Sequence, residues 1–248
     1  MGRYRSFIFD LYGTLVDIRT DEHSPSLWRR AAEYFRAHGA AYSAKELREA
    51  YLALCGRAQR SSPDPLYELE LSEVFADLYC QKNVVPDGRL VAETALLFRI
   101  ASTRKLRLYP WTLPAIKLIR SHGAGVYLLS NAQSCFTVPE LRALGLDDAF
   151  DGMVLSSEAG VRKPSPDIML RLLSENGLEP SSSIMIGNDR RSDVAAAHAV
   201  GMDAVYIETE TSGGFDPAFI AEYELTDGRA RELPKLILTL LEAPDASL

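Results

Sequence analysis

Four short stretches of the chain carry side chains that could do chemistry together. The first is FIFDLYGTLVD, residues 7–17, an apolar run broken by one aspartate, Asp10, ahead of a Gly-Thr turn. A buried carboxylate is costly unless it is paired, hydrogen-bonded or bound to metal. Asp10 could cap the turn that follows, or it could attack a substrate. The second stretch is Ser130-Asn131, closing the apolar VYLL; in isolation such a pair is a polar turn. The third is Lys163 in GVRKPSPD, which alone would be a solvated surface lysine. The fourth is GNDRRSD, with Asn188, Asp189 and Asp193. Asp193 there could balance a helix dipole, and Asp189 could be a loop acid. Taken together they supply a carboxylate, a hydroxyl-amide pair, a cation and a second acidic pair. Those are the parts of nucleophilic attack with stabilisation of a developing anion.

What must bring them together is a parallel sheet. Residues 4–10 read as a buried strand, and each of the other clusters also closes an apolar run. A polar stretch, DIRTDEHSPS, follows the first strand. Helical spacing then takes over: Leu27, Ala31, Ala32 and Phe35 form one stripe, and Ser43 with Glu46 forms a capping box. Leu71, Val74, Phe75 and Leu78 continue the pattern, with a further helix near Leu90 to Phe98, and no strand is expected between about residues 19 and 105. Beyond that point strands and helices alternate to the end, which predicts helices on both faces of the sheet. The expected fold is α/β, a three-layer Rossmann-like core from residues 1–18 and 106–248 with an all-helical insert over 19–105. Ligands of such sheets bind beyond the carboxyl ends of the strands, where Asp10 and the other clusters would lie. The SGG fragment near Gly213 is expected to be a loop, not a phosphate cradle, because it does not join a strand to a helix.

Composition narrows the partners. A net charge of -7 and the lack of any basic run argue against nucleic acid. Cys55, Cys80 and Cys135 are odd in number and far apart, which suits a reducing compartment. His23, His38, His122 and His198 share no metal spacing. There is no signal-peptide pattern and no apolar segment near the roughly 20 residues of a membrane helix. The expectation is a cytoplasmic protein acting on a small molecule, with a frayed APDASL tail.

The four clusters, in this order at strand ends and with a helical insertion after the first, resemble the motifs of the haloacid dehalogenase-like (HAD) hydrolase superfamily. The resemblance covers essentially the whole chain. Asp10-Leu11-Tyr12-Gly13-Thr14 resembles the Asp-x-Asp-x-Thr motif, Ser130 the second, Lys163-Pro164 the third and GNDRRSD the acidic fourth. The resemblance implies that Asp10 is the nucleophile, held by Thr14, and that Ser130 and the Asn131 amides bind phosphate. It implies that Lys163 pairs with Asp10 and with developing negative charge. It also implies magnesium among Asp10, the Tyr12 carbonyl and the fourth-motif residues Asn188, Asp189 and Asp193, under a helical cap that excludes water.

Two departures pull in opposite directions. Tyr12 stands where the phosphatases of the family carry an acid-base aspartate, and a phenol is a poor proton shuttle at neutral pH. Tyrosine here resembles the dehalogenase branch, whose chloride leaving group needs no proton; LWRRAAEY would then offer Arg29 as the substrate grip. The acids Asp189 and Asp193 point instead to a cation, since they would repel Asp10 without one. The expectation is a magnesium-dependent phosphatase of small phosphorylated metabolites. The alternatives are a metal-independent 2-haloacid dehalogenase and a slow ligand-binding protein of the same fold.

Overall fold

Alternate residues of the first strand serve two different helical layers. Phe7 and Phe9 enter one apolar cluster and Ile8 another, and all three are fully buried. A strand buried on both faces needs a continuous apolar run, which is why the segment shows no alternation. A computed structural model describes residues 3–243. The tail from residue 244 onward, with its expected fraying, lies outside the described residues.

The elements in chain order are β1 (Ser6–Phe9), β2 (Val16–Thr20), α1 (Pro25–Ala37), α2 (Ala44–Ser61), α3 (Leu71–Cys80) and α4 (Gly88–Ser102). Then come β3 (Thr103–Leu108), α5 (Thr112–Ser121), β4 (Gly125–Ser130), α6 (Ser134–Ala143), β5 (Gly152–Leu155) and α7 (Ser156–Ala159). The last are α8 (Pro166–Asn176), β6 (Ser183–Gly187), α9 (Ala195–Ala199), β7 (Asp203–Ile207), β8 (Tyr223–Leu225) and α10 (Leu233–Glu242). Six strands form a parallel sheet in the order β5-β4-β1-β6-β7-β8. Central β1 aligns Phe9 with Leu128 of β4 and Ile186 of β6, so the ends of the three strands fall within two residues of one another. Ile116 and Ile119 of α5 and Leu233, Ile237 and Leu240 of α10 pack one face. Ile168, Met169 and Leu172 of α8, with Ala196 and Ala197 of α9, cover the other. This is the expected three-layer α/β core.

The inserted helices α1–α4 have a core of their own, built from aromatic rings. Trp28 lies 5.4 Å from both Tyr51 and Phe98, and Phe35 stacks on Tyr79 at 4.3 Å. The predicted stripe on α1 is buried, and the Ser43–Glu46 capping box is formed. Phe136 of α6 joins this cluster, stacking on Phe98 at 6.2 Å, so the insert is seated on a helix of the core.

One feature differs from the sequence reading. The insert is entered and left through an antiparallel ribbon of β2 and β3, whose strands run on to Thr20 and start at Thr103. The polar stretch after β1 is therefore partly strand. Its charge is held by cross-strand pairs: buried Asp17 accepts from Arg107 at 2.9 Å and is also paired with Lys105. No helix among the described residues is long and apolar enough to cross a membrane.

Candidate active site

Every residue that the four motifs nominate lines one cleft of about 220 Å³, with the exception of Thr14, which lies fully buried behind Asp10. The cleft is not the largest hollow; an open depression of about 730 Å³ lies between Arg19 and Arg104. Chemistry, not volume, marks the smaller one.

Asp10 follows β1 and is held from three sides. Its Oδ1 accepts from Lys163 Nζ at 2.8 Å and from Ser130 Oγ at 3.1 Å. Its Oδ2 has one long bond, from Thr14 Oγ1 at 3.2 Å. The carboxylate is thus oriented through one oxygen, while the other keeps lone pairs for a substrate or cation. Lys163 is buried, and its ammonium also donates to the Leu129 carbonyl at 2.7 Å and to Asp193 Oδ1 at 2.7 Å. Burial pulls its pKa down, but Asp10 and Asp193 outweigh this and raise it above the ordinary lysine value. This lysine is a fixed cation.

Asp193 sits in a π-helical turn, Arg190–Val194, after β6. Its Oδ2 accepts from the Asp189 amide at 3.0 Å, so both of its oxygens are engaged. Burial pushes its pKa up to about 6, Lys163 opposing and Asp10 adding. The fold back over β6 needs Gly187, because a Cβ there would lie 2.2 Å from Asp193 Oδ2. Asp189, by contrast, is exposed and accepts from the Arg191 amide at 2.9 Å.

Two nominated side chains do something other than expected. The Asn131 side chain pairs with the Lys163 backbone, accepting from its amide at 2.8 Å and donating to its carbonyl at 3.1 Å. It ties the loop after β4 to the lysine loop, so only its backbone amide is left for an anion. Tyr12 turns its hydroxyl toward α6, where it donates to Glu140 and lies 3.0 Å from Thr137 Oγ1. Glu140 in turn accepts from Arg99 of α4 at 2.6 Å. Burial first, and Glu140 next, raise the tyrosine pKa beyond its ordinary value, so it parts with its proton less readily still. Arg29 is exposed on α1 and does not line the cleft.

Other residues of the site carried no motif. Ser156 and Ser157 brace the loop after β4, accepting from the amides of Ala132 and Ser134 at 2.9 Å each. Thr209 and Thr211, in the irregular loop that contains SGG, hold Asn188. Their only sequence signal is position beyond the end of another strand.

The donors available to a metal are all oxygens. Among the described residues no three acidic, histidine or cysteine side chains converge as a ready-made cage. Asp10 Oδ2 and Asn188 Oδ1, however, both lie within reach of the Thr14 hydroxyl, at 3.2 and 3.3 Å, so the two oxygens are neighbours. One carboxylate and one amide oxygen suit magnesium, which keeps several waters and takes few protein ligands.

A family model described as haloacid dehalogenase-like hydrolase matches residues 4–201. The chain belongs to this family. The phosphoglycolate phosphatase of Yersinia pestis is 28% identical over 205 residues, 81% of this chain and 79% of its own length. The glyceraldehyde 3-phosphate phosphatase of Pyrococcus furiosus is 25% identical over 249 residues, 100% of this chain and 97% of its own length. Among solved structures, the 2-haloacid dehalogenase of Pseudomonas syringae matches with a TM-score of 0.66 at 19% identity, over 95% of this chain and 98% of that one. That last likeness is one of fold. The chain is a hydrolase with an inserted helical cap.

Proposed function

We propose that this hydrolase is a magnesium-dependent phosphatase of small phosphorylated metabolites, working through an aspartyl-phosphate at Asp10. We take residues 1–18 and 106–248 as its catalytic core and 19–105 as its cap. The observation that carries the reading is the charge of the cleft: one lysine faces Asp10, Asp189 and Asp193. The two relatives named as phosphatases of small phosphate esters support it. The three free cysteines favour the cytoplasm as its setting.

In this reading a phosphate enters against Ser130 Oγ, the Asn131 amide and Lys163 Nζ. Asp10 Oδ2, the oxygen not held by lysine, attacks phosphorus as the bond to the leaving oxygen breaks. Water then attacks the aspartyl-phosphate, releasing phosphate and restoring the carboxylate. Lys163 orients Asp10 through Oδ1 and balances charge on the transferring group. Magnesium bound by Asp10, Asn188 or Asp189 and the Tyr12 carbonyl would supply positive charge at the phosphate oxygens. Tyr12 does not serve as the acid, since its hydroxyl is committed to Glu140. Leaving groups that depart as anions, from aryl or acyl phosphates, are therefore the best substrates.

The test is turnover of p-nitrophenyl phosphate and of 2-chloropropionate, each with magnesium and with chelator. Phosphate release that needs magnesium and disappears in Asp10→Asn is expected. Chelator-insensitive release of chloride would replace this reading with the dehalogenase. Tight phosphate binding without turnover of either compound would replace it with a ligand-binding role.

A further inference from the structure

The polarity of the Asn188 amide is set by a residue outside every motif. Thr209 follows β7, and its hydroxyl donates to the Gly13 carbonyl at 2.8 Å. A hydroxyl has one proton and a carbonyl only accepts, so Thr209 can only accept from its remaining neighbours. The Asn188 amide lies 3.3 Å away. The atom it presents there must be the NH2, which resolves an assignment that geometry alone leaves open. The other amide hydrogen goes to Thr211 Oγ1 at 3.1 Å; that hydroxyl could donate or accept, so it does not discriminate. With its nitrogen committed, Asn188 turns Oδ1 toward Thr14 Oγ1, beside Asp10 Oδ2. The cluster is tight: a Cβ on Gly13 would lie 2.5 Å from both Asn188 Nδ2 and Thr211 Oγ1.

We propose that Thr209 is a positioning residue for a divalent cation, holding the oxygen of Asn188, and not its nitrogen, toward Asp10. The proposal rests on the magnesium-dependent reading above. An aspartate at 188 would need no such help, because both of its ends are oxygens. An asparagine does, because a flipped amide would turn its NH2 toward the cation.

The experiment measures binding of Mn2+ to the purified full chain, by the loss of the free-ion electron paramagnetic resonance signal, with Mg2+ as competitor. Thr209→Val should weaken Mn2+ binding by about 10-fold or more, the range in which outer partners of metal ligands act. Thr209→Ser keeps the donor and should bind within about 2-fold of wild type, well short of that range. In an Asn188→Asp background, adding Thr209→Val should change affinity by less than about 3-fold, because the orientation no longer matters. If Thr209→Val does not fold, Thr209→Ala makes the same comparison. Equal weakening in both backgrounds would mean only a loosened Gly13 turn and would overturn the proposal. So would wild-type binding by Thr209→Val in the Asn188 protein. Failure of the wild-type chain to bind either ion would instead sink the magnesium reading, and the proposal with it.

Discussion

Replacing Lys163 with methionine isolates the electrostatics of the cleft. The side chains are of similar length, so the change removes charge more than volume. It leaves Asp10 and Asp193, both buried, without the ammonium that lies 2.8 and 2.7 Å from them. Removing one partner of a buried ion pair costs about 3–5 kcal/mol. Here two carboxylates are orphaned, but each keeps a donor: Ser130 for Asp10 and the Asp189 amide for Asp193. A loss of about 4 kcal/mol is the working figure. At roughly 2–4 °C per kcal/mol for a chain of this size, the melting temperature should fall by about 8–16 °C.

The pH dependence fixes the sign. Burial already raises the Asp193 carboxyl above its unfolded value near 4, and removing the lysine that opposes this raises it further. A raised pKa gives stability that is complete below the unfolded value and is lost as pH climbs through the folded one. In the wild type Asp193 is already raised to about 6 with the lysine opposing, so in the variant this carboxyl titrates above that value. The gap between variant and wild type should therefore be widest near pH 8 and should narrow toward pH 5. Thermal melts with chelator present, across that range, make the measurement. Adding Asp193→Asn should recover about half of the lost stability and none of the turnover. A Lys163→Met melting temperature within about 2 °C of wild type at pH 8 would refute the reasoning.

Three further outcomes follow from single contacts. Tyr12→Phe should lower turnover of an alkyl phosphate by less than about 10-fold, whereas loss of a general acid would cost 100-fold or more on such a poor leaving group; steady-state kinetics decide between them. Gly187→Ala should destabilise the chain by about 1–3 kcal/mol and remove turnover, because its methyl would displace Asp193; urea melts and the same assay report both. Arg99→Met leaves buried Glu140 without its cation, with the Tyr12 hydroxyl still donating to it where the insert meets α6, at a cost of about 3 kcal/mol. Limited proteolysis should then cut between α1 and α4 faster than in the wild type; an unchanged rate would count against a seam at Arg99.

The sheet was legible because β1, β4 and β6 lie between two helical layers and must be apolar throughout. The inserted helices were legible from stripes such as Leu27 to Phe35, which pack inward as their spacing requires. The ribbon of β2 and β3 was not. Val16 and Ile18 face the core opposite Leu108 and Leu106, but each strand offers only two such residues, alternating with Asp17, Arg19, Lys105 and Arg107, too short a pattern to read as a strand. Motif spacing brought the right side chains to one cleft but said nothing of where each points. Tyr12 stands two residues after Asp10, yet its hydroxyl partner Glu140 is 128 residues away. Asn131 is expected to offer its amides to phosphate, and its side chain also grips the lysine loop. Thr209 belongs to no pattern; only the closure of β7 beside β6 places it against Asn188.

Those directions change the charge argument for a cation. The sequence suggests three carboxylates competing for one metal, but Asp193 has both oxygens engaged, by Lys163 and the Asp189 amide. What remains toward the open cleft is Asp10 Oδ2, the exposed Asp189 and the amide oxygen of Asn188. One lysine against three aspartates still leaves two net negative charges, and a phosphate dianion would add two more. In the proposed reading a divalent cation, bound first or arriving with the substrate, offsets that charge. A haloacid brings one negative charge, and Arg29, which the dehalogenase resemblance offers as the grip for its carboxylate, is exposed outside the cleft. In the proposed reading, the tyrosine at position 12 leaves the leaving group without an acid, and the surplus negative charge leaves the attack with Lys163 as its only cation among the cleft residues. Only the second lack can be met by an ion from solution, and that is why turnover should depend on magnesium while remaining selective for leaving groups that need no proton.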